Sequence, residues 1–273
     1  MFADIRVILF DMGGTLVDYP VPSWPRLAGR CIEGLYRFLV HTDREGPPPA
    51  VALSELDQAH VHRLRAGPGT ALLHRAALAL RRMIRSLSGY TLPRMAEMCA
   101  RPLMAEGRLF DDTLPTIQAL RRRGYRLGLV SNTPWGTPEY LWENQLRRFG
   151  LAPYFDVCLF SSVVGFRKPD TRILEAALAR LGVEAPRALF VGDNPDADIP
   201  GARRLGMRAA LVRRTAPPSA TTPAPPGRSP AADVTIESLT ELLALLPPRP
   251  AGPAPPGQSP ASPWRRPAPT RRG

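Results

Sequence analysis

Short apolar runs that end in polar residues are the most regular pattern along the chain. A short, almost uninterrupted apolar run is typical of a strand buried on both faces of a parallel sheet. The three clearest runs, each with the polar residue that ends it, are residues 5–10 with Asp11, residues 125–130 with Ser131, and residues 188–191 with Asp193. Weaker runs predict three further strands, at Val157–Phe160, residues 209–212 and Val234–Ile236.

Helical patterns alternate with these strands. They cover residues 114–123, Thr171–Leu181 and residues 239–246. In Thr171–Leu181 the apolar residues fall on one stripe, with Asp170 as the predicted N-cap and Gly182 as the predicted stop. Alternating strands and helices predict an α/β fold with a doubly wound parallel sheet. Ligands of such sheets bind beyond the carboxyl ends of the strands, which is where the polar residues lie here.

Residues 19–107 have a different pattern, of helices without strands. The predicted helices are residues 27–40, 54–65, 70–88 and 92–105, separated by Gly/Pro breaks. An all-helical segment inserted after the first strand is expected to cover the site as a cap domain. The predicted domains are thus a core of residues 1–18 and 108–246 and a cap of residues 19–107. The Pro-rich composition predicts a flexible loop at 215–231 and a disordered tail at 247–273.

Composition narrows the classes of partner. The net charge is +12, but the basic residues are spread along the chain without a compact patch, so we expect no specific nucleic-acid partner. Three widely spaced cysteines favour a reducing compartment over a disulfide framework. No apolar run is long enough for a membrane span or a signal peptide, so we expect a cytoplasmic protein without membrane contact. The sequence does not indicate the oligomeric state.

The polar residues at the strand ends resemble, in order, the four motifs of the haloacid dehalogenase-like (HAD) superfamily. The matching stretches are residues 10–16 (FDMGGTL), 131–133 (SNT), 168–170 (KPD) and 192–198 (GDNPDAD). Each lies at a predicted strand end or helix start, and the resemblance covers residues 1 to 246. Four short motifs in the correct order are much more specific than any one of them. The resemblance implies a Rossmann-like HAD core with a helical cap inserted after the first motif.

The resemblance also implies a role for each motif residue. Asp11 is the expected nucleophile, forming an aspartyl-phosphate, and Lys168 is expected to balance the charge between nucleophile and phosphate. The expected ligands of Mg²⁺ are Asp11, Asp193 and the backbone carbonyl of Gly13. Asp198 is expected to order the metal-binding loop without ligating the ion. The residues expected to hold the phosphoryl group of a small anionic substrate are Ser131, Asn132, Gly14 and Thr15.

Lys168 is also unusual by composition. It is the only lysine among 36 basic residues, all the others being arginine. In a chain that otherwise uses arginine, a single lysine beside a motif indicates a site that requires a compact point charge rather than a planar guanidinium.

Gly13 departs from the family pattern. Phosphatases of this superfamily usually carry a second Asp at that position, which protonates the leaving group and then activates water. General acid–base catalysis contributes a factor of about 10² to 10⁴, so its loss without replacement predicts slow turnover. Residues that could replace the acid are Asp18, His41, Asp43, His60 and His62.

The leading hypothesis is a Mg²⁺-dependent phosphatase of a small phosphorylated metabolite, and two alternatives stay open. One is a 2-haloacid dehalogenase-like hydrolase, because dehalogenases of the superfamily also lack the second Asp, although they need no metal. The other is a catalytically weak phosphate-binding or regulatory protein, suggested by Gly13 and the long basic tail.

Overall fold

A six-stranded parallel sheet is the centre of the computed structural model, which describes residues 2–20, 92–133, 137–214 and 231–249. The described strands are β1 (Val7–Phe10), β2 (Val17–Asp18), β3 (Arg108–Leu109), β4 (Arg126–Ser131), β5 (Val157–Phe160), β6 (Ala188–Gly192), β7 (Arg208–Val212) and β8 (Val234–Ile236). The sheet has the order β5-β4-β1-β6-β7-β8, with every neighbouring pair parallel. The predicted doubly wound parallel sheet is therefore confirmed, with all six predicted strands in it.

Helices connect the strands. In the described residues they are α1 (Leu92–Glu106), α2 (Thr113–Arg122), α3 (Glu139–Arg148), α4 (Ser161–Val164), α5 (Thr171–Leu181), α6 (Asp198–Arg204) and α7 (Leu242–Leu245), with 3-10 turns at Ala152–Tyr154, Ala185–Arg187 and Leu239–Glu241. The predicted start and end of α5 are confirmed. The Asp170 carboxylate accepts the backbone N–H of Arg172, and Gly182 ends the helix in the left-handed region at φ 56°.

The sheet is buried on both faces, which explains the apolar runs of the sequence. Side chains of β1 alternate between two hydrophobic clusters: Ile8 and Phe10 lie in one, Val7 and Leu9 in the other. All four are at most 1% exposed. A strand with apolar partners on both sides requires apolar residues at every position, so β1 has no polar residue before Asp11.

A two-stranded antiparallel ribbon pairs the chain just before residues 19–107 with the chain just after them. Val17 of β2 pairs with Leu109 of β3, and Asp18 forms an ion pair with Arg108 at 2.9 Å. The helix predicted for 92–105 is present as α1. The predicted helices 27–40, 54–65 and 70–88 lie outside the described residues, and the cap domain stays a prediction.

The C-terminal end of the core reaches further than the sequence indicates. The backbone N–H of Arg249 donates to the Arg123 carbonyl at 3.0 Å, and the Tyr125 hydroxyl donates to the Pro247 carbonyl at 2.8 Å. Residues 247–249, assigned by sequence to the tail, thus contact the core. The remainder of the predicted tail and nearly all of the predicted loop at 215–231 lie outside the described residues. Within the described part of the chain, no helix combines the length and apolar character needed to cross a bilayer.

Candidate active site

Three adjacent strand ends bring the site together. β1 lies between β4 and β6, so the carboxyl ends of these strands meet at one edge of the sheet. Asp11 directly follows β1, Ser131 is the last residue of β4, and Asp193 directly follows β6. Asp11 and Ser131 are 7% and 5% exposed, so the site lies below the surface. This is the crevice in which doubly wound sheets bind ligands.

Three carboxylates and one ammonium group form the centre of the site. One oxygen each of Asp11, Asp193 and Asp198 lies within 4.8 Å of the others. The buried Lys168 Nζ donates to Asp11 Oδ1 at 2.5 Å and to Asp198 Oδ1 at 2.7 Å. It also lies 5.0 Å from the centroid of the Phe190 ring. The lysine therefore links the carboxylate after β1 to the first residue of α6.

Burial and the neighbouring charges shift the pKa values of the carboxyl groups and of the lysine in this cluster. Burial raises the pKa of Asp11 to about 6, although Lys168 opposes the shift. Burial, followed by the charges of Asp11 and Asp198, raises the pKa of Asp193 to about 8. Burial lowers the pKa of Lys168, but the carboxylates of Asp11 and Asp198 outweigh burial and raise it overall. One lysine does not neutralise three carboxylates, and hard carboxylate oxygens are the ligands that a divalent cation such as Mg²⁺ or Ca²⁺ prefers.

Asp198 uses both of its carboxylate oxygens within the protein. Oδ1 contacts Lys168, and Oδ2 accepts the backbone N–H of Asn194 at 2.9 Å. The Asn194 side chain in turn accepts the backbone N–H groups of Asp196 and Ala197 at 2.9 and 3.0 Å. These bonds fix the loop that follows Asp193, and they leave Asp198 as a residue that orders this loop.

The loop after Asp11 is packed against Asp193. The Thr15 hydroxyl donates to Asp193 Oδ1 at 3.2 Å. Gly14 has φ 82°, and a Cβ atom there would lie 2.2 Å from Asp193 Oδ2. The loop closes with a hydrogen bond from the Gly14 N–H to the Val17 carbonyl at 2.8 Å. Gly14 and Thr15, predicted to bind phosphate, thus also define the position of the Asp193 carboxylate.

Asn132 is bound to the main chain of Lys168. Its Nδ2 donates to the Lys168 carbonyl at 3.0 Å, and its Oδ1 accepts the Lys168 N–H at 2.9 Å. Both ends of the amide are thus engaged by the residue whose ammonium group contacts Asp11. Asn132, predicted to bind phosphate, therefore holds the main chain of Lys168 in place.

A family model of haloacid dehalogenase-like hydrolases matches residues 5–206. The chain belongs to this family.

Its relatives include enzymes named as phosphatases. The phosphoglycolate phosphatase of Rhodospirillum rubrum is 35% identical over 215 residues, covering 76% of this chain and 79% of the relative. The glyceraldehyde 3-phosphate phosphatase of Methanothermobacter thermautotrophicus is 43% identical over 105 residues, but the match spans only 45% of that relative and 38% of this chain. The crystal structure of a HAD phosphatase from Thermococcus onnurineus matches with a TM-score of 0.54 at 25% identity, covering 88% of this chain and 97% of that one.

Arg214 is a residue of this HAD-like hydrolase that the sequence did not indicate. It donates to the Thr15 carbonyl and to Asp112 Oδ2, both at 2.6 Å, and its guanidinium lies 4.0 Å from the centroid of the Phe110 ring. Arg214 and Asp112 therefore connect the loop after Asp11 to the start of α2. No short motif marks a contact between residues so far apart in the chain.

Asp18 is one of the residues predicted to replace the acid that is missing at Gly13, and it is engaged in an ion pair. The Asp18 carboxylate is paired with Arg108 at 2.9 Å in the β2–β3 ribbon. The other candidates, His41, Asp43, His60 and His62, lie outside the described residues. Gly13 itself forms an isolated bridge with Val17, and the ring of Tyr19 lies on the side where a side chain at position 13 would extend.

Proposed function

We propose that this HAD-like hydrolase is a Mg²⁺-dependent phosphatase of small phosphorylated metabolites. The observation that carries the proposal is the buried Asp11 carboxylate, held by Lys168 at 2.5 Å beside two further carboxylates at the carboxyl edge of the sheet. A buried carboxylate with one oxygen fixed by an ammonium group is a positioned nucleophile. The negative charge of the surrounding carboxylates would repel a dianionic phosphate unless a cation neutralised it.

The residues divide the chemistry as follows. The Asp11 carboxylate attacks phosphorus, the ester P–O bond breaks with its electron pair passing to the leaving oxygen, and an aspartyl-phosphate forms on Asp11. Water then cleaves this acyl phosphate and restores the carboxylate. Lys168 holds the nucleophile in place and reduces its charge. Asp11, Asp193 and the Gly13 carbonyl would hold Mg²⁺, which when bound neutralises charge on the carboxylates and the phosphate.

The size and nature of the substrate follow from the relatives. Those that match this chain are named for phosphoglycolate and glyceraldehyde 3-phosphate, both small phosphorylated metabolites. The site residue Ser131 offers a hydroxyl group suited to a phosphoryl group rather than to a large apolar ligand. We place the activity in the cytoplasm, where the buried and unpaired thiol of Cys158 would persist.

Hydrolysis of a panel of small phosphate esters, with excess Mg²⁺ or with EDTA, tests the proposal. We expect release of inorganic phosphate only with the metal, and none from Asp11→Asn, which removes the nucleophile. Asp4→Asn is the matched control, because Asp4 is exposed and precedes β1 at the opposite edge of the sheet. It is expected to hydrolyse the panel as the wild type does.

Two outcomes would contradict the proposal. Halide release from a 2-haloacid in EDTA would favour the dehalogenase chemistry that Gly13 leaves open, since that reaction uses the same nucleophile without a metal. Absence of any turnover, combined with binding of inorganic phosphate in a Mg²⁺-dependent manner, would favour a phosphate-binding protein.

A further inference from the structure

Tyr19 is packed between two glycines next to the nucleophile loop. A Cβ atom at Gly13 would lie 3.4 and 3.6 Å from Cδ2 and Cε2 of the tyrosine ring, and its chain neighbours apart it would meet no other heavy atom of the described residues within 4 Å. On the opposite edge of the ring, a Cβ at Gly107 would lie only 2.6 Å from Cε1. The edge-to-face contact with Trp142, at 6.2 Å between centroids, fixes the ring further. The ring thus takes up the direction in which an acid at position 13 would extend.

The hydroxyl of Tyr19 has no role in this packing. Tyr19 is 7% exposed, and its hydroxyl has no hydrogen-bond partner among the residues that the structure describes. Burial raises the pKa of Tyr19, with smaller opposing effects from the charges of Arg148, which lowers the pKa, and Asp11, which raises it. A phenol in this setting stays neutral and keeps its proton to donate.

A purely structural tyrosine does not account for this group. Phenylalanine would fill the same space between Gly13 and Gly107 and would not bury an unpartnered hydroxyl, which is destabilising. The buried hydroxyl is therefore a cost to the free protein that a bound ligand could offset. The tyrosine ring lies on the side of Gly13 where an acid that protonates the leaving group would extend, and this indicates which ligand atom that is.

We propose that the Tyr19 hydroxyl donates a hydrogen bond to the leaving-group oxygen of a phosphate ester bound at Asp11. The inference rests on the proposed phosphatase function. As the P–O bond breaks, the leaving oxygen gains negative charge, and the hydrogen bond stabilises that charge. Tyr19 keeps its proton. Water, the co-reactant of hydrolysis, protonates the released alkoxide, and the hydroxide so formed is consumed when the aspartyl-phosphate is cleaved.

The dependence of the rate on the leaving group tests this role. An alkyl phosphate releases a strongly basic alkoxide, whereas p-nitrophenyl phosphate releases an anion that delocalises its own charge. For Tyr19→Phe we expect kcat/KM to fall about 10- to 100-fold with the alkyl ester, the range expected of one hydrogen bond to a charged group. The decrease with p-nitrophenyl phosphate is expected to be much smaller. Thermal unfolding is expected at an unchanged or higher temperature, because an unpartnered buried hydroxyl has been removed.

Tyr154→Phe is the matched control. Its hydroxyl accepts a hydrogen bond from Gln118 at 2.8 Å, so its removal is expected to lower stability and leave the leaving-group dependence unchanged. If Tyr19→Phe retains the wild-type kcat/KM, or loses the same factor with both esters, the inference is wrong. If the wild type hydrolyses neither ester, the proposed phosphatase function fails, and the tyrosine inference fails with it. Wild-type hydrolysis combined with an unaffected Tyr19→Phe variant overturns the tyrosine inference alone.

Discussion

Gly14→Ala separates backbone strain from damage to the metal site. Gly14 has φ 82°, a region that alanine adopts at a cost of about 1–2 kcal/mol. Its added Cβ would lie 2.2 Å from Asp193 Oδ2, 2.6 Å from Cγ and 3.0 Å from Oδ1. Carbon and oxygen atoms do not approach to 2.2 Å without a bond, so the carboxylate or the loop must move. The substitution therefore displaces a predicted metal ligand without changing any charge.

Gly206→Ala supplies a control with nearly the same backbone. Its φ is 79°, and apart from its chain neighbours an added Cβ would meet no heavy atom of the described part of the chain within 4 Å. The strain common to both variants, about 1–2 kcal/mol, corresponds to roughly 2–8 °C in Tm for a domain of this size. Any further defect of Gly14→Ala is then the effect of the displaced Asp193 carboxylate.

The assay combines thermal unfolding with the Mg²⁺ dependence of phosphatase activity. Both variants are expected to lose stability in EDTA, Gly14→Ala at least as much as Gly206→Ala because it also displaces Asp193. Only Gly14→Ala is expected to need more Mg²⁺ for half-maximal activity, by at least about 10-fold, the scale seen when groups that orient metal ligands are lost. The reasoning is refuted if Gly14→Ala shows the Mg²⁺ dependence of Gly206→Ala, because the position of Asp193 would then not govern metal binding.

Three further predictions concern the surroundings of the cluster. Lys168→Arg keeps the charge but forces a larger, planar group between Asp11 and Asp198, so kcat is expected to fall at least about 10-fold while Mg²⁺ affinity changes little; a wild-type kcat would contradict the need for a compact charge. Asp112→Asn removes the counter-charge of Arg214, which donates to the Thr15 carbonyl, so the free energy of unfolding measured by chemical denaturation is expected to fall by about 1–3 kcal/mol. An unchanged free energy of unfolding would show that the pair is dispensable. The pKa values of Asp11 and Asp193, raised to about 6 and about 8 from 3.8, mean that the folded, metal-free protein retains protons that the unfolded chain has lost. Its stability in EDTA is thus expected to fall as pH rises from about 4 to about 8, while the increase in Tm caused by Mg²⁺ grows. Thermal unfolding with and without the metal across that range measures both effects, and a Tm in EDTA that does not fall with pH would contradict the raised pKa values.

The sheet could be predicted because burial on both faces leaves a strong signal in the sequence. β1 and β6 are apolar at every position up to the glycine or aspartate that ends them, and such runs have few alternative interpretations. α6 could not be predicted in this way. Its sequence contains Pro200 and Gly201, which oppose a helix, yet the proline lies in the first turn, where no N–H is needed. Gly201 is explained only by packing, since a Cβ there would lie 3.0 Å from the Pro169 carbonyl.

α3 was missed for a different reason. Its buried residues, Leu141, Trp142, Gln145 and Leu146, have helical spacing, but they are outnumbered by polar residues in a short segment. The signal was therefore present in the sequence and weak. Tertiary contacts stabilise this helix, because Trp142 is 4% exposed and packs edge-on against Tyr19.

Only some residues of the site could be predicted from the sequence. Residues at strand ends could be predicted, because parallel strands deliver their carboxyl ends to one edge regardless of the rest of the chain. The groups that hold those residues could not. Asn132 binds the main chain of Lys168, and Arg214 binds the Thr15 carbonyl across 199 positions of sequence. Such bonds follow from tertiary proximity, and no periodicity or spacing encodes them.

Charge connects the parts of the site that the sequence presents as separate motifs. Lys168 contacts both Asp11 and Asp198, and Asp198 fixes the loop behind Asp193. A change in the charge of Asp11 therefore affects the loop that carries the predicted metal ligand. In the proposed reaction Asp11 loses its charge when it is phosphorylated, and Lys168 would then be shared between Asp198 and the phosphoryl group. A compact ammonium group can pass from one partner to the other within one small pocket more readily than a planar guanidinium group. This is a physical reason for the one lysine of the chain to stand at this position.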